Sequence, residues 1–249
     1  EEGELIINVG IFDLIQAFQG VLKRFDDEDE LAEIADDRFT VSDKIDYLLT
    51  NIGKGEKVSF NGLFREASTK GEVLVTGATG GVGSIATSLL SSLGFEICAS
   101  TGRSEHHQYI KSLGANRIID RSELSEKGKP LGKETWAAAV DSLGSHTLAN
   151  ICSSTKYGGV VTSCGLAQGF DFPSTVMPFI LRGIVLVGID SVYCPIKERQ
   201  LAWNRLSSDL NLKHLEKMTS IIPLSDVIIN AEKMLKNSSL GRIVIDVNA

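Results

Sequence analysis

A short apolar run, Val73-Leu74-Val75-Thr76, passes directly into Gly77-Ala78-Thr79-Gly80-Gly81-Val82-Gly83-Ser84. A helical stripe of Ile85, Ala86, Leu89, Leu90 and Leu93 follows. Nothing else in the chain constrains the fold as strongly as this strand, glycine turn and helix. Gly77 permits the tight turn, Gly80 lets the backbone approach a pyrophosphate, and Gly83 lets the helix pack close on the strand. The unpaired N–H groups and positive dipole end of the helix then face an anion. A glycine loop by itself also serves as a plain turn. Here the strand before it, the helix after it and a second strand over 95–100 give it the context of a dinucleotide site, with Gly77, Thr79, Gly80, Gly81, Val82 and Gly83 as its residues.

The end of the second strand selects the dinucleotide. An NAD site places Asp or Glu there to hold the ribose 2′-hydroxyl. This chain has Ser100-Thr101-Gly102-Arg103-Ser104 instead, with no acid to repel a 2′-phosphate. Arg103 can pair with that phosphate, and Ser100 or Thr101 can hydrogen-bond it. NADP(H) is therefore expected over NAD(H); the alternative is an ordinary surface arginine.

Further strands are expected at 117–119, 136–141, 159–163, 184–189 and 242–247, with helices between most of them, including 106–113 and 226–235. Alternating strands and helices predict an α/β fold, a doubly wound parallel (Rossmann) sheet over 71–249 with right-handed connections. Residues 1–70 read differently. Ile11, Leu14, Ile15, Phe18, Val21, Leu22 and Phe25 recur at helical spacing, and Ser42 can cap a second helix bearing Ile45, Leu48, Leu49 and Ile52. Phe60, Leu63 and Phe64 add a third short stripe, so a small all-helical extension is expected there.

Charge separates the same two regions. Residues 1–70 hold 16 acidic and 8 basic side chains, and 71–249 hold 16 and 17. The acidity argues against a nucleic-acid surface in the first region. The run Asp26-Asp27-Glu28-Asp29-Glu30 reads as a solvated linker. No apolar run approaches the length of a membrane span. The chain opens on Glu1-Glu2 with no signal peptide behind it, so a trimmed or partial chain in the cytoplasm is expected. Cys98, Cys152, Cys164 and Cys194 include no CxxC pair and read as reduced thiols.

Residues 72–249 resemble the acrylyl-CoA reductase branch of the medium-chain dehydrogenases/reductases, the zinc-free, quinone-oxidoreductase-like group. The resemblance rests on Gly77–Gly83, Thr101-Gly102-Arg103, Lys111-Ser112-Leu113-Gly114-Ala115, Tyr157-Gly158-Gly159, Cys164-Gly165-Leu166-Ala167, Met177–Gly183 and Gly188-Ile189-Asp190-Ser191-Val192. It implies that Cys164, Gly165 and Leu166 line the path from adenosine to nicotinamide. It implies that Asp190 and Ser191 lie near the nicotinamide, and that Arg242 reaches the cofactor from the C-terminal segment. It also implies a homodimer through the strand near Val185, and hydride transfer to the β-carbon of an activated alkene, an enoyl thioester or a quinone. Members of that group carry a GroES-like substrate barrel ahead of this domain. Gly71 is preceded by helical patterns instead, so cofactor binding with little turnover is expected.

Residues 5–70 resemble the C-terminal part of segregation and condensation protein A, the bacterial kleisin. The stretches are Phe12–Phe18, Phe39–Ile45 and Val58–Phe64. That likeness implies a partial winged helix contacting an SMC head. Gly71–Thr76 fits both families, which suggests a chimera joined there. A non-catalytic NADPH-binding module is a further alternative.

Other chemistry is sparse. His106-His107 has no ligand partners at metal spacing, so no metal site is expected. No GxSxG elbow occurs, and Tyr109 and Lys111 stand too close in sequence for a Tyr/Lys pair on one helix face. Trp136 and Trp203 read as packing residues, and no catalytic side chain is assigned.

Overall fold

The computed structural model describes residues 71–236 and 239–249. The helices and the acidic run expected within 1–70 lie outside the described residues. The strands β1 (Val73–Val75), β2 (Ile97–Thr101), β3 (Arg117–Asp120), β4 (Trp136–Asp141), β5 (Thr155–Ser163) and β6 (Val185–Gly188) form one sheet in the order β3-β2-β1-β4-β5-β6. All five pairings are parallel, as expected from the alternating pattern. Side chains alternate across the pleat, so consecutive residues feed two separate cores.

Val73, Val75, Ile97, Ala99, Ala138 and Val140 face one layer of helices. This layer contains α1 (Gly81–Ser92) and α2 (His107–Ser112), with Ala202 from α6 (Ile196–Asp209). Leu74, Cys98, Ile119, Ala139 and Val161 face the other layer. There α3 (Ser122–Ser125), α4 (Ser145–Ser154) and α5 (Met177–Arg182) supply Leu124, Leu148, Ile151, Cys152 and the half-buried Phe179. Covering both faces explains why β1, β2 and β4 are buried along their whole lengths. Trp136 and Ala139 fall on the same side despite their odd spacing, because the β4–β5 register shifts between Trp136 and Ala138.

After α7 (Leu212–Lys217) the chain forms a second, two-stranded parallel sheet. Its strands are β7 (Thr219–Pro223) and β8 (Arg242–Asp246), linked through α8 (Val227–Leu235). The sequence reading anticipated α8 and β8 but not β7. Gly241 joins this small sheet to the large one by a bridge to Gly80. No helix among the described residues is long and apolar enough to cross a membrane.

Candidate functional site

The strand order reverses between β1 and β4, and ligands of open parallel sheets sit beyond the carboxyl ends of the strands at such a point. The glycine turn occupies that place. Gly77 reverses the chain at a φ of 57°, and its carbonyl accepts the Gly80 amide at 2.8 Å. The Ala78 amide donates to the Ser100 carbonyl, tying the turn to the end of β2 at 3.2 Å. A Cβ on Gly83 would stand 2.7 Å from the Ala78 Cα and closer still to the Gly77 oxygen. Glycine is therefore needed there for the close approach of helix and turn. Intrahelical bonding in α1 begins at Ser84, whose amide donates to the Gly80 carbonyl. The amides of Gly81, Val82 and Gly83 belong to the first turn, which has no partners inside its own helix. Thr79 is buried, and the Val82 side chain packs on the core, so these two can offer only backbone to a ligand.

Beside the turn, β2 ends in Ser100 and Thr101, both buried. The Ser100 hydroxyl is buried and has no hydrogen-bond partner among the described residues. Such a group costs stability unless a ligand satisfies it. The Thr101 hydroxyl accepts the Arg103 amide at 3.2 Å. The Arg103 guanidinium donates through Nη1 to the Ser239 carbonyl, just ahead of β8.

The C-terminal segment closes over the same turn. The Gly241 amide donates to the Thr79 carbonyl at 2.8 Å, and Arg242 Nη2 donates to the Gly81 carbonyl at 3.2 Å. Burial lowers the Arg242 guanidinium to about 10, and the nearby Tyr109 opposes that shift. The Tyr109 hydroxyl donates to Ser84 Oγ at 2.9 Å, and Ser84 Oγ donates to the Ala78 carbonyl at 3.1 Å. Glycine turn, β2 end and Arg242 thus form one cluster.

Asp141, at the end of β4, belongs to this cluster and was not singled out from the sequence. Its carboxylate is fully buried. It accepts Thr76 Oγ1 and the Gly144 amide, each at 2.8 Å. The Ser142 amide donates back to Thr76 Oγ1 at 3.0 Å. Burial outweighs these hydrogen bonds and raises the Asp141 carboxyl to about 6. The signal available in the sequence was an acid at the end of an otherwise apolar strand, followed two residues later by Leu143-Gly144.

The remaining expected residues sit elsewhere along the same edge of the sheet. A cleft of about 580 Å³ opens beyond β5 and β6. Cys164, Gly165, Leu166 and Asp190 line it, together with Leu148 and Phe170. The Cys164 amide and thiol both donate to the Asp141 carbonyl, at 2.9 and 3.2 Å, which links the cleft to the buried acid. Asp190 Oδ1 accepts the amides of Val192 and Tyr193, so this carboxylate closes a local turn. Ser191 is not in the lining; its carbonyl is held by Arg199.

Among the described residues no group of three or more His, Cys, Asp or Glu side chains could hold a metal ion, so the arrangement does not fit a zinc centre. The glycine cradle and the unpartnered Ser100 hydroxyl do fit a phosphorylated dinucleotide.

The comparisons agree with this geometry. The acrylyl-CoA reductase of Ruegeria pomeroyi is 48% identical over 180 residues, which are 72% of this chain and 54% of that protein. The crystal structure of the YhdH oxidoreductase from Salmonella enterica in complex with NADP superposes with a TM-score of 0.72 at 44% identity, covering 74% of this chain and 57% of that one. The Bacillus subtilis protein YhfP with NAD bound gives 0.69 at 43% identity, covering 72% and 55%. The chain therefore spans about half the length of these reductase and oxidoreductase relatives. Segregation and condensation protein A of Clostridium tetani shares 31% identity over 81 residues, 30% of this chain and 32% of that protein. The model of zinc-binding dehydrogenases matches residues 81–208, from the first helix after the glycine turn to the end of α6, and the chain belongs to that family.

Proposed function

We propose that residues 71–249 are the NADP(H)-binding module of an oxidoreductase that adds hydride to an activated alkene, an enoyl thioester or a quinone. One observation carries the reading: a turn that needs glycine at Gly77 and Gly83 lies beside a buried hydroxyl that no group among the described residues satisfies. Residues 77–83 and the first-turn amides of α1 hold the pyrophosphate. Ser100, Thr101 and Arg103 take the 2′-phosphate, and Arg242 adds positive charge from β8. Cys164, Gly165 and Leu166 line the route to the nicotinamide, with Asp190 at its far end and Ser191 supporting that loop. The cofactor, once bound, supplies the hydride, and the chain's own part is binding and orientation.

The likeness to acrylyl-CoA reductases supports the substrate class. Turnover by this chain is low, because the cleft is open: Leu166 is 66% exposed and Phe170 93%. Titration with NADPH and NADH, followed by nicotinamide fluorescence, tests the reading. Saturable binding that favours NADPH is expected. Absence of binding, or preference for NADH, overturns it. Steady NADPH-dependent reduction of acrylyl-CoA or a quinone overturns the low turnover alone.

The module works in the cytoplasm as a homodimer paired through β6, one of the two outer strands of the sheet. A monomeric mass in sedimentation would exclude the pairing. Residues 1–70 carry a second reading, contact with an SMC head, supported by the partial likeness to segregation and condensation protein A. A pull-down with SMC heads tests it. Sequencing the source DNA across the codons for 71–76 tests whether the two parts form a chimera.

A further inference from the structure

The glycine turn and Arg103 are held by one short piece of chain, the residues leading into β8. The Gly241 amide donates to the Thr79 carbonyl, and Gly241 bridges Gly80. On its other side the Arg242 amide donates to the Met218 carbonyl at 2.6 Å. Two residues upstream, the Ser239 carbonyl accepts Arg103 Nη1. Gly241 itself cannot be replaced without movement. Its φ is 58°, in the left-handed region, and a Cβ there would stand 3.0 and 3.1 Å from the Met218 carbonyl carbon and Cα, with the oxygen nearer still.

An arginine on a loop rotates freely unless something fixes it, and fixing it in advance lowers the cost of ordering it on binding. A carbonyl does this without neutralising the charge, since the guanidinium keeps further donors for an anion. Two residues downstream of Ser239, the left-handed turn at Gly241 is anchored on Thr79 and, through Arg242, on Met218. We propose that Gly241 is a positioning residue for cofactor specificity: it fixes the Ser239 carbonyl, which aims Arg103 at a 2′-phosphate. The inference rests on the reading of Arg103 given above. It adds that discrimination between phosphorylated and unphosphorylated dinucleotides is set from the β7–β8 sheet, outside the six-stranded sheet that binds the rest of the cofactor.

The test uses the full chain and three variants: Arg103→Ala, Gly241→Ala and the two combined. NADPH and NADH are titrated against each. Arg103→Ala should weaken NADPH about tenfold or more and leave NADH nearly unchanged. Gly241→Ala should weaken both, because it disturbs Thr79, and NADPH by about tenfold more than NADH. In the double variant the extra loss for NADPH should not add to that of Arg103→Ala. If Arg103→Ala leaves the NADPH-to-NADH ratio unchanged, the reading of Arg103 fails and this proposal with it. If Arg103→Ala lowers the ratio and Gly241→Ala does not, the positioning role alone fails. Hydrogen exchange on the unaltered chain covers the case in which Gly241→Ala does not fold. NADPH should protect residues 239–242 more than saturating NADH does, and equal protection overturns the proposal.

Discussion

The glycine turn after β1 and the cleft beyond β5 and β6 lie along the same edge of one parallel sheet, yet they are made of different things. The turn is backbone: its shape follows from where side chains are missing, and the chain packs against it from β2, β4 and β8. The cleft is walled by side chains together with Gly144, Gly165, Gly169 and Gly188, and several of those side chains stand in the open, Phe170 most of all. The turn tolerates almost no change at Gly77 and Gly83, because a Cβ there has nowhere to go. A site lined by exposed apolar groups tolerates substitution, because little packing is lost. Changes at Gly77 and Gly83 should break the first, and changes at the exposed side chains should barely touch the second.

The largest effect is expected at Gly83. Gly83→Val would drive a branched side chain into Gly77 and Ala78. Loss of about 3 kcal/mol or more, or failure to fold, is expected in urea unfolding. Unaltered stability would mean that the helix does not need its close approach to the turn.

Asp141→Asn comes next. Asn offers one acceptor oxygen where the carboxylate serves Thr76 and Gly144 together, so about 1–3 kcal/mol should be lost at neutral pH. The pH dependence provides a second reading. The native state keeps the Asp141 proton up to about 6, whereas an unfolded chain releases it near about 4. Between those values the native state binds the extra proton, so stability contributed by this group falls as pH rises from 4 towards 6 and is flat above. Urea midpoints across that window should show the decline in the unaltered chain and its absence in the variant.

Ser100→Ala sharpens the comparison in the other direction. Removing a buried hydroxyl without a partner should leave the apo chain unchanged, or more stable by up to about 1 kcal/mol. The same change should weaken NADPH by about tenfold and leave NADH alone, since only the 2′-phosphate makes use of it. Equal weakening of both cofactors would place the hydroxyl elsewhere in the site. The smallest effect is expected at the cleft, where Phe170→Ser should alter stability by no more than about 0.5 kcal/mol.

Much of the glycine turn and its surroundings was legible because glycine spacing is a statement about backbone. The strand–turn–helix order over 73–92, the position of Ser100 and Arg103, and the parallel sheet all follow from local patterns. Strand β4 stands where its pattern placed it, over 136–141. Strand β7 escaped because Thr219–Pro223 shows no alternation and ends in proline; it is a strand only by pairing with β8, 23 residues away in register. Ser191 lies outside the cleft's lining, and its carbonyl accepts Arg199.

By itself, then, the sequence determined that a glycine turn would feed a helix beside an arginine at the end of the second strand, since spacing and the missing Cβ atoms are local properties. Only the tertiary structure decided that Asp141 would be buried against Thr76, and that Gly241 would close on Thr79 while Ser239 held Arg103. These contacts join residues 65, 162 and 136 positions apart, and no local pattern records a partner that folding alone brings near.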